Sequence, residues 1–268
     1  MKKNLFYTLS ALFLSASLVS CGGGDDDTTG GGRSQSTGVH NGHQWVDLGL
    51  SVKWATCNVG ASQPWEYGSF YSWGEIETQE IYNTSNNKYH SSELGWTKYC
   101  TDSSNGIFDG KGTLELSDDA AYQNWKGTWR TPTKQEVEEL YNSCVWRYTT
   151  NYDGKGIAGY IVFKAKVSED KGVKQCDGDY TPTSATYSID NDAYIFLPFA
   201  GHCDPKIDGY NPSTGEYQTT EGKYAYYWTS TLRPDGRCAY DLDLRSNKVH
   251  IGTTGRGHGE TIRAVCPK

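Results

Sequence analysis

The sequence predicts an α+β fold made of short antiparallel strands, one or two helices and long loops. Its 268 residues include 31 Gly and 8 Pro, which indicates many tight turns. Tyr and Trp are abundant, with 20 and 9 copies against a single Met, and such rings pack well in sheets and at half-buried surfaces. Only one stretch, around residues 133–144, has a clear helical spacing of apolar side chains.

The first part of the domain is expected to be strands and loops. Residues 45–55 have the pattern of two short strands around a Gly bend, and residues 57–61 leave them in a turn. Residues 64–75 form an aromatic loop punctuated by Gly, and residues 76–116 are polar and carry no clear pattern.

Two helices are predicted next. Ser117 is the expected cap of the first helix, which has two acids in its first turn and ends at Gly127. Thr133 and Glu136 form a capping-box pattern at the start of the second helix, about residues 133–143. The apolar face of that second helix is spaced as one stripe, consisting of Val137, Leu140, Tyr141 and Cys144.

The remainder is predicted to be strands, at residues 160–167, 193–199, 224–231 and 262–266, with a polar excursion over 168–191.

A hairpin is expected over residues 238–251, turning at Ser246-Asn247 and preceded by a β-turn at residues 233–236. Alternation along its strands places two sets of side chains on opposite faces. The apolar set is Tyr240, Leu242, Leu244, Val249 and Ile251, and the polar set is Asp241, Asp243, Arg245, Lys248 and His250.

The N-terminus has the features of an export signal. Lys2 and Lys3 precede an apolar run, too short for a permanent membrane span, that ends in Leu-Val-Ser-Cys at Cys21. This end resembles a bacterial lipobox, in which the cysteine becomes the acylated first residue. We therefore predict a lipoprotein signal peptide at 1–20 and lipidation at Cys21. The alternative is an ordinary signal peptide with an incidental cysteine.

Residues 21–39 are predicted to be a flexible tether, because this Gly-, Asp- and Ser-rich segment has almost no apolar side chains to bury. The acidic triplet Asp25 to Asp27 resembles the surface-export signal of Bacteroidetes lipoproteins, and the alternative is a merely soluble linker. Residues 40–268 show no second linker and no repeat period, so a single domain is expected.

Charge and cysteine content narrow the function classes. With 25 basic and 32 acidic residues, the chain has a net charge of −7 and lacks the basic footprint of nucleic-acid-binding proteins. Besides Cys21 there are seven cysteines, an odd number, so at least one stays reduced or pairs elsewhere, and their connectivity cannot be read from the sequence. These seven are Cys57, Cys100, Cys144, Cys176, Cys203, Cys238 and Cys266.

Several motifs between residues 44 and 267 carry a family resemblance. They lie at 45–61, 67–68, 73–75, 119–121, 124–125, 129–133 with Glu136 and Leu140, 195–198, 200–201, 227–231 and 262–266. In this order they resemble the Fibrobacter succinogenes major paralogous domain, which is widespread in Bacteroidetes lipoproteins. The resemblance implies a C-type-lectin-like fold, related to the formylglycine-generating enzyme. In that fold the first and last strands pair, a long loop region projects on one side, and residues 129–133 precede the principal helix.

No catalytic residue, metal site or cofactor is predicted. An oxidase of the formylglycine-generating type would need two closely spaced reactive cysteines, whereas Cys238 and Cys266 lie far apart in sequence. His40 and His43 lack a third ligand. Residues 190–192 could ligate calcium or form a turn with Asx side chains. The helix acids Glu136, Glu138 and Glu139 allow a paired-carboxylate interpretation, but capping and solvation account for them.

We therefore expect an outer-membrane lipoprotein that faces the cell exterior and acts as a non-catalytic binding module or adhesin. Its expected partners are the outer membrane, through the lipid anchor, and a glycan or protein ligand. A structural or accessory lipoprotein of a surface assembly is the alternative. The ligand face is expected on the C-terminal loops and hairpin, or otherwise on the 64–116 loops. Its candidate residues are Trp228, Arg233, Asp235, Arg237, Asp243, Arg245, His250, Arg256 and His258.

Overall fold

The computed structural model describes residues 36–174, 185–204 and 220–268. In these ranges, small antiparallel sheets and two helices form an α+β fold, as the sequence predicts. Gln35–Lys268 group into one compact unit. The predicted signal peptide, the predicted lipidation site Cys21, most of the predicted tether and Cys176 lie outside the described residues.

The first sheet joins the two ends of the domain. It contains β1 (Thr37–His40), β2 (His43–Val46), β3 (Val52–Ala55) and β12 (Val265–Pro267), in the order β1-β2-β3-β12. The resemblance implied that the first and last strands pair, but β12 pairs with β3 while β1 lies at the opposite edge.

The additional strand β1 was not expected from the sequence. It forms a hairpin with β2 through Asn41 and Gly42, whose φ angles are 45° and 83°. Asn-Gly favours this left-handed backbone in two-residue hairpin turns.

The first helix, α1 (Ala120–Trp125), begins later than predicted. Its cap is Asp119, which accepts hydrogen bonds from the backbone N–H groups of Ala121 and Tyr122. The prediction of Ser117 as the cap is therefore wrong, because Leu116–Asp118 form a separate 3-10 turn.

The second helix, α2 (Lys134–Ser143), matches its prediction closely. Thr133 and Glu136 form the complete capping box, and Val137 and Leu140 are buried. Cys144 does not extend the helix: it is the C-cap and begins the next strand.

Three further sheets complete the described structure. One consists of β6 (Cys144–Thr149), β7 (Gly159–Lys164) and β8 (Tyr194–Pro198), of which β6 was not predicted. A small hairpin, β4 (His90–Ser91) and β5 (Gly95–Trp96), lies in the region left unassigned by the sequence. The third sheet has the order β11-β10-β9 and contains β9 (Tyr224–Leu232), β10 (Cys238–Arg245) and β11 (Lys248–Gly255).

A fully buried arginine, Arg263, ties the sheets together. Its guanidinium donates to the Asn58 side chain at 2.9 Å, to the Thr56 carbonyl at 2.7 Å and to the Phe196 carbonyl at 2.8 Å. It also donates to the Ala55 carbonyl at 3.2 Å. The end of β3, strand β8 and the C-terminal segment are thus connected through one side chain.

Five cysteines in the described ranges form no disulfide, namely Cys57, Cys100, Cys144, Cys238 and Cys266. Cys238 lies at the start of β10 and Cys266 in β12, so they belong to different sheets.

Leu140 tests the placement of α2. Its side chain is fully buried among residues of α2 and the β11-β10-β9 sheet, so Leu140→Ala should lower the free energy of unfolding by about 2–5 kcal/mol. Gln135 is an exposed residue of the same helix and provides the control. Gln135→Ala should change the free energy of unfolding by about 0.5 kcal/mol or less. Urea denaturation of both variants measures the difference, and equal small effects would mean that α2 is misplaced.

Candidate functional site

The β11-β10-β9 sheet builds the candidate site because its two faces differ in chemistry. The hairpin register is the predicted one, with Asp243 opposite His250 and Leu244 opposite Val249. One face packs Leu242 and Leu244 into the core with α2. The other face, which we call the polar face, carries three successive rows of side chains drawn from β9, β10 and β11. These rows are Trp228–Asp241–Gly252, Tyr226–Asp243–His250 and Tyr224–Arg245–Lys248.

Arg245 connects two of these rows. Its Nη2 donates to the Tyr226 hydroxyl at 2.5 Å, and its Nε lies 3.2 Å from an Asp243 carboxylate oxygen. The guanidinium also lies 5.3 Å from the centre of the Tyr224 ring, within range of a cation–π interaction. His250 lies 3.5 Å from the second Asp243 oxygen. Because 43% of the Arg245 side chain is exposed but only 6% of Asp243, the cation covers a buried carboxylate and remains open to solvent.

Asp241 of the first row and Glu260 of the 259–261 segment are both buried carboxyl groups, and the two interact electrostatically. Neither accepts a hydrogen bond of good geometry from the described residues, although nearby Thr254 partly favours the ionised form of both. Burial raises the pKa of Asp241 to about 7, and burial together with the charge of Asp241 raises that of Glu260 well above its usual value. Gly252 makes this arrangement possible, since a Cβ atom there would lie 2.7 Å from an Asp241 oxygen.

Beside the polar face, two chain segments form a short antiparallel ladder that we call the 203–259 ladder. Cys203 and Gly259 exchange both backbone hydrogen bonds, at 2.8 and 3.0 Å. The ladder brings His202, Asp204 and His258 together. A ring nitrogen of each histidine and a carboxylate oxygen of Asp204 all lie within 4.8 Å of one another.

His202 connects the ladder to the sheet. Its ring centre lies 4.7 Å from that of Tyr226 and 5.7 Å from that of Tyr224. Burial and the neighbouring His258 lower the pKa of His202 to about 4. The imidazole is therefore neutral at physiological pH.

The structure brings only part of the predicted residue set together. Asp243, Arg245 and His250 are direct neighbours, and His258 lies beside them through His202, at 6.2 Å between ring centres.

Arg233 and Asp235 of the predicted β-turn, and Arg237 directly after it, lie at the other end of the hairpin. A strand rises about 3.4 Å per residue, which places Arg237 roughly 25 Å from Arg245 along β10. The turn packs against the 101–105 loop, where Arg237 donates to Asn105 at 2.6 Å. These three residues are therefore not part of the same patch.

Besides Asp243, which is 4% exposed beneath Arg245, two further predicted ligand residues are buried, and these two serve the fold. Trp228 is 1% exposed and donates its ring N–H to the Tyr71 carbonyl at 2.7 Å. Arg256 is fully buried, with its guanidinium 3.7 Å from the centre of the Trp96 ring and hydrogen-bonded to the carbonyl of Tyr99. Both predictions of an exposed ligand residue are corrected by this burial.

The other chemical candidates also have structural contacts. His40 interacts with Thr128, and the His43 ring stacks on Trp125 at 3.9 Å. The three α2 acids each have a partner: Glu136 pairs with Arg130, Glu138 with Lys134, and Glu139 with Ser51.

The residues of the 190–192 segment likewise take part in local contacts, although these are not the predicted Asx turn. Asp192 pairs with Lys166 at 2.7 Å and accepts the N–H of Ser188.

Two surface cavities lie away from the polar face. One, of about 440 Å³, lies beside the stacked pair His43 and Trp125 and includes residues 61–64. The other, of about 300 Å³, lies beside Tyr148 and Tyr152.

Sequence reasoning missed several residues of the site. Asp241 was placed on the polar face but not among the ligand residues, and His202, Asp204 and Glu260 were not singled out. A signal was present, because His202-x-Asp204 and His258-x-Glu260 have the two-residue spacing that puts side chains on one face of an extended strand.

Comparison with known proteins identifies no relative: no protein-family model, curated protein or solved structure matches the chain. None of the helices in the described part of the chain has the length and apolar character needed to cross a bilayer.

Asp241 should make stability depend on pH. The folded protein holds a proton on Asp241 up to a pKa of about 7, whereas the unfolded chain releases it near pH 4, so stability falls as pH rises from about 4 to 7. Asp241→Asn removes this titration. The variant should gain on the order of 2–4 kcal/mol relative to wild type at pH 8, and little at pH 4.

Denaturation curves at the two pH values measure the effect of Asp241→Asn, with the exposed Asp190→Asn as the control. A gain that is equal at pH 4 and pH 8, or that appears in the control, would contradict the assignment.

Proposed function

We propose that this protein is a lipid-anchored surface binding module, and that the Arg245 end of the polar face binds an extracellular glycan or protein. The observation that carries the proposal is the half-exposed Arg245 guanidinium held between Asp243 and two tyrosine rings. Tyr and Arg are enriched where proteins bind partners, because they combine a large contact area with directional polar groups.

The rigidity of the platform supports this function. Tyr224, Tyr226 and Arg245 lie on paired strands whose opposite face is packed into the core. A ligand that binds there needs little ordering of the protein, which reduces the entropic cost of association. The exposed guanidinium favours ligands that carry carboxylate, sulfate or hydroxyl oxygens.

The proposed location rests on the N-terminal sequence. The charged start, short apolar run and Cys21 support a lipid anchor at the outer membrane, and the following polar segment supports a tether that holds the domain away from the membrane surface.

We further propose that the domain belongs to the family of the Fibrobacter succinogenes major paralogous domain and has its C-type-lectin-like fold. Supporting features are that the last strand joins the sheet of the N-terminal strands, although beside β3 rather than beside β1, and that residues 129–133 lie directly before α2. An experimental structure that fails to superpose on C-type lectin domains would reject this assignment.

Binding can be located with matched arginine variants. An array of host and microbial glycans and extracellular-matrix proteins should identify a ligand for the purified protein. Arg245→Ala should then weaken binding by about 10-fold or more, as expected for an arginine at the centre of an interface. Arg237→Ala, at the opposite end of β10, should leave affinity within about 2-fold.

His250→Ala gives a second measurement on the same face, since its side chain is 36% exposed beside Asp243. Full binding by folded Arg245→Ala and His250→Ala proteins would reject the polar face and direct attention to the 440 Å³ cavity that includes residues 61–64.

The anchor has an independent test. Cys21→Ser removes the only thiol that a lipobox could acylate, so the variant should lose the lipid label and leave the membrane fraction. Metabolic labelling with a fatty-acid analogue and fractionation after a salt wash measure both effects. Retention of the variant in the outer membrane would rule out the lipid anchor.

A further inference from the structure

We propose that His202, Asp204 and His258 form a binding site for a divalent transition-metal ion of the zinc class. A ring nitrogen of each histidine and a carboxylate oxygen of Asp204 lie within 4.8 Å of one another, and His258 Nε2 is 3.6 Å from an Asp204 oxygen. This site goes beyond the binding function proposed above and does not depend on it.

The backbone explains why these side chains meet. In the 203–259 ladder, Cys203 faces Gly259, so Asp204 lies opposite His258 and His202 lies opposite Glu260. Side chains two residues apart in an extended chain share a face. One face of a two-segment ladder therefore presents two imidazoles and two carboxyl groups.

The surroundings favour a cation. His202 and Asp204 are 6% and 3% exposed, and the rings of Tyr224 and Tyr226 pack against His202. Glu260, on the same face, is completely buried, and its two carboxylate oxygens accept no hydrogen bond of good geometry from the residues that the structure describes, with only Thr254 close by. A buried carboxyl group without such partners is costly, and a nearby divalent ion would lower that cost.

The donor set selects the class of ion. Calcium and magnesium prefer shells of oxygen ligands, whereas imidazole nitrogen with one carboxylate is typical of zinc and its neighbours in the transition series. Bonds of about 2.0–2.2 Å require ligand atoms roughly 3.3 Å apart, so small side-chain rotations would bring these three to the ion. Three protein ligands leave a fourth position for water or for a group of a bound ligand.

The site can be tested by titration of the purified protein, prepared without a polyhistidine tag and stripped with a chelator. Calorimetry should show one zinc ion per chain, and cobalt should give the visible absorption bands of four-coordinate geometry. Calcium at the same concentration should not compete for the site. The absence of zinc binding would overturn the proposal.

Variants separate this site from incidental surface binding. His202→Ala, Asp204→Asn and His258→Ala should each weaken zinc binding by about 10-fold or more. His250→Ala is the matched control, because this histidine lies on the same polar face but outside the three ligands, and it should stay within about 2-fold. Undiminished zinc binding in Asp204→Asn and His258→Ala, or an equal loss in the control, would overturn the proposal.

Thermal melts distinguish a variant that has lost zinc binding from one that has lost its fold. Zinc should raise the melting temperature of the wild type and of His250→Ala, because a ligand that binds only the folded state stabilises it. At the same zinc concentration the rise should be clearly smaller for His258→Ala or, if that variant is unfolded, for His258→Gln. An unchanged zinc-dependent rise in His258→Gln would count against the site.

Discussion

The buried guanidinium of Arg263 is the contact on which the arrangement of the sheets depends. It has no carboxylate partner among its hydrogen bonds: its donors reach the Asn58 side chain and the carbonyls of Ala55, Thr56 and Phe196. Loss of the guanidinium would leave these buried oxygens without a donor, which costs more than the bond itself contributes. Arg263 lies two residues after the 259–261 segment, whose own backbone pairs with Cys203 and Tyr71.

Arg256 and Asp119 are further buried charged side chains that, like Arg263, form hydrogen bonds with several backbone groups. Arg256 binds the carbonyls of Lys98, Tyr99 and Gly236, and Asp119 accepts the N–H and hydroxyl of Thr131 besides capping α1. Short strands and long loops leave many backbone groups without sheet partners, and each must find one when buried. A charged side chain with several donors or acceptors serves several of these groups at once.

The features that could be predicted from the sequence are those determined by residues close together in the chain. The capping box and apolar stripe of α2 and the alternation of the β10–β11 hairpin are set within a few residues, and both were predicted. The Asp119 cap was missed because Asp118 and Ser117 offered equally good local chemistry. His202 and His258 could not be joined, since their ladder pairs segments far apart in sequence, and Arg256 looked like a surface residue because nothing local shows burial by Trp96.

The pairing of β12 with β3 has a consequence for the order of events during folding. Val265 pairs with Trp54, and Arg263 closes onto residues 55–58, so an early element of the domain waits for the last residues of the chain. Contacts across such a long sequence separation form slowly, because the chain entropy must be lost before they stabilise anything. A growing chain therefore cannot complete this domain until residues 263–267 have been synthesised, and without β12 the β3 edge of the first sheet would lack its pairing partner.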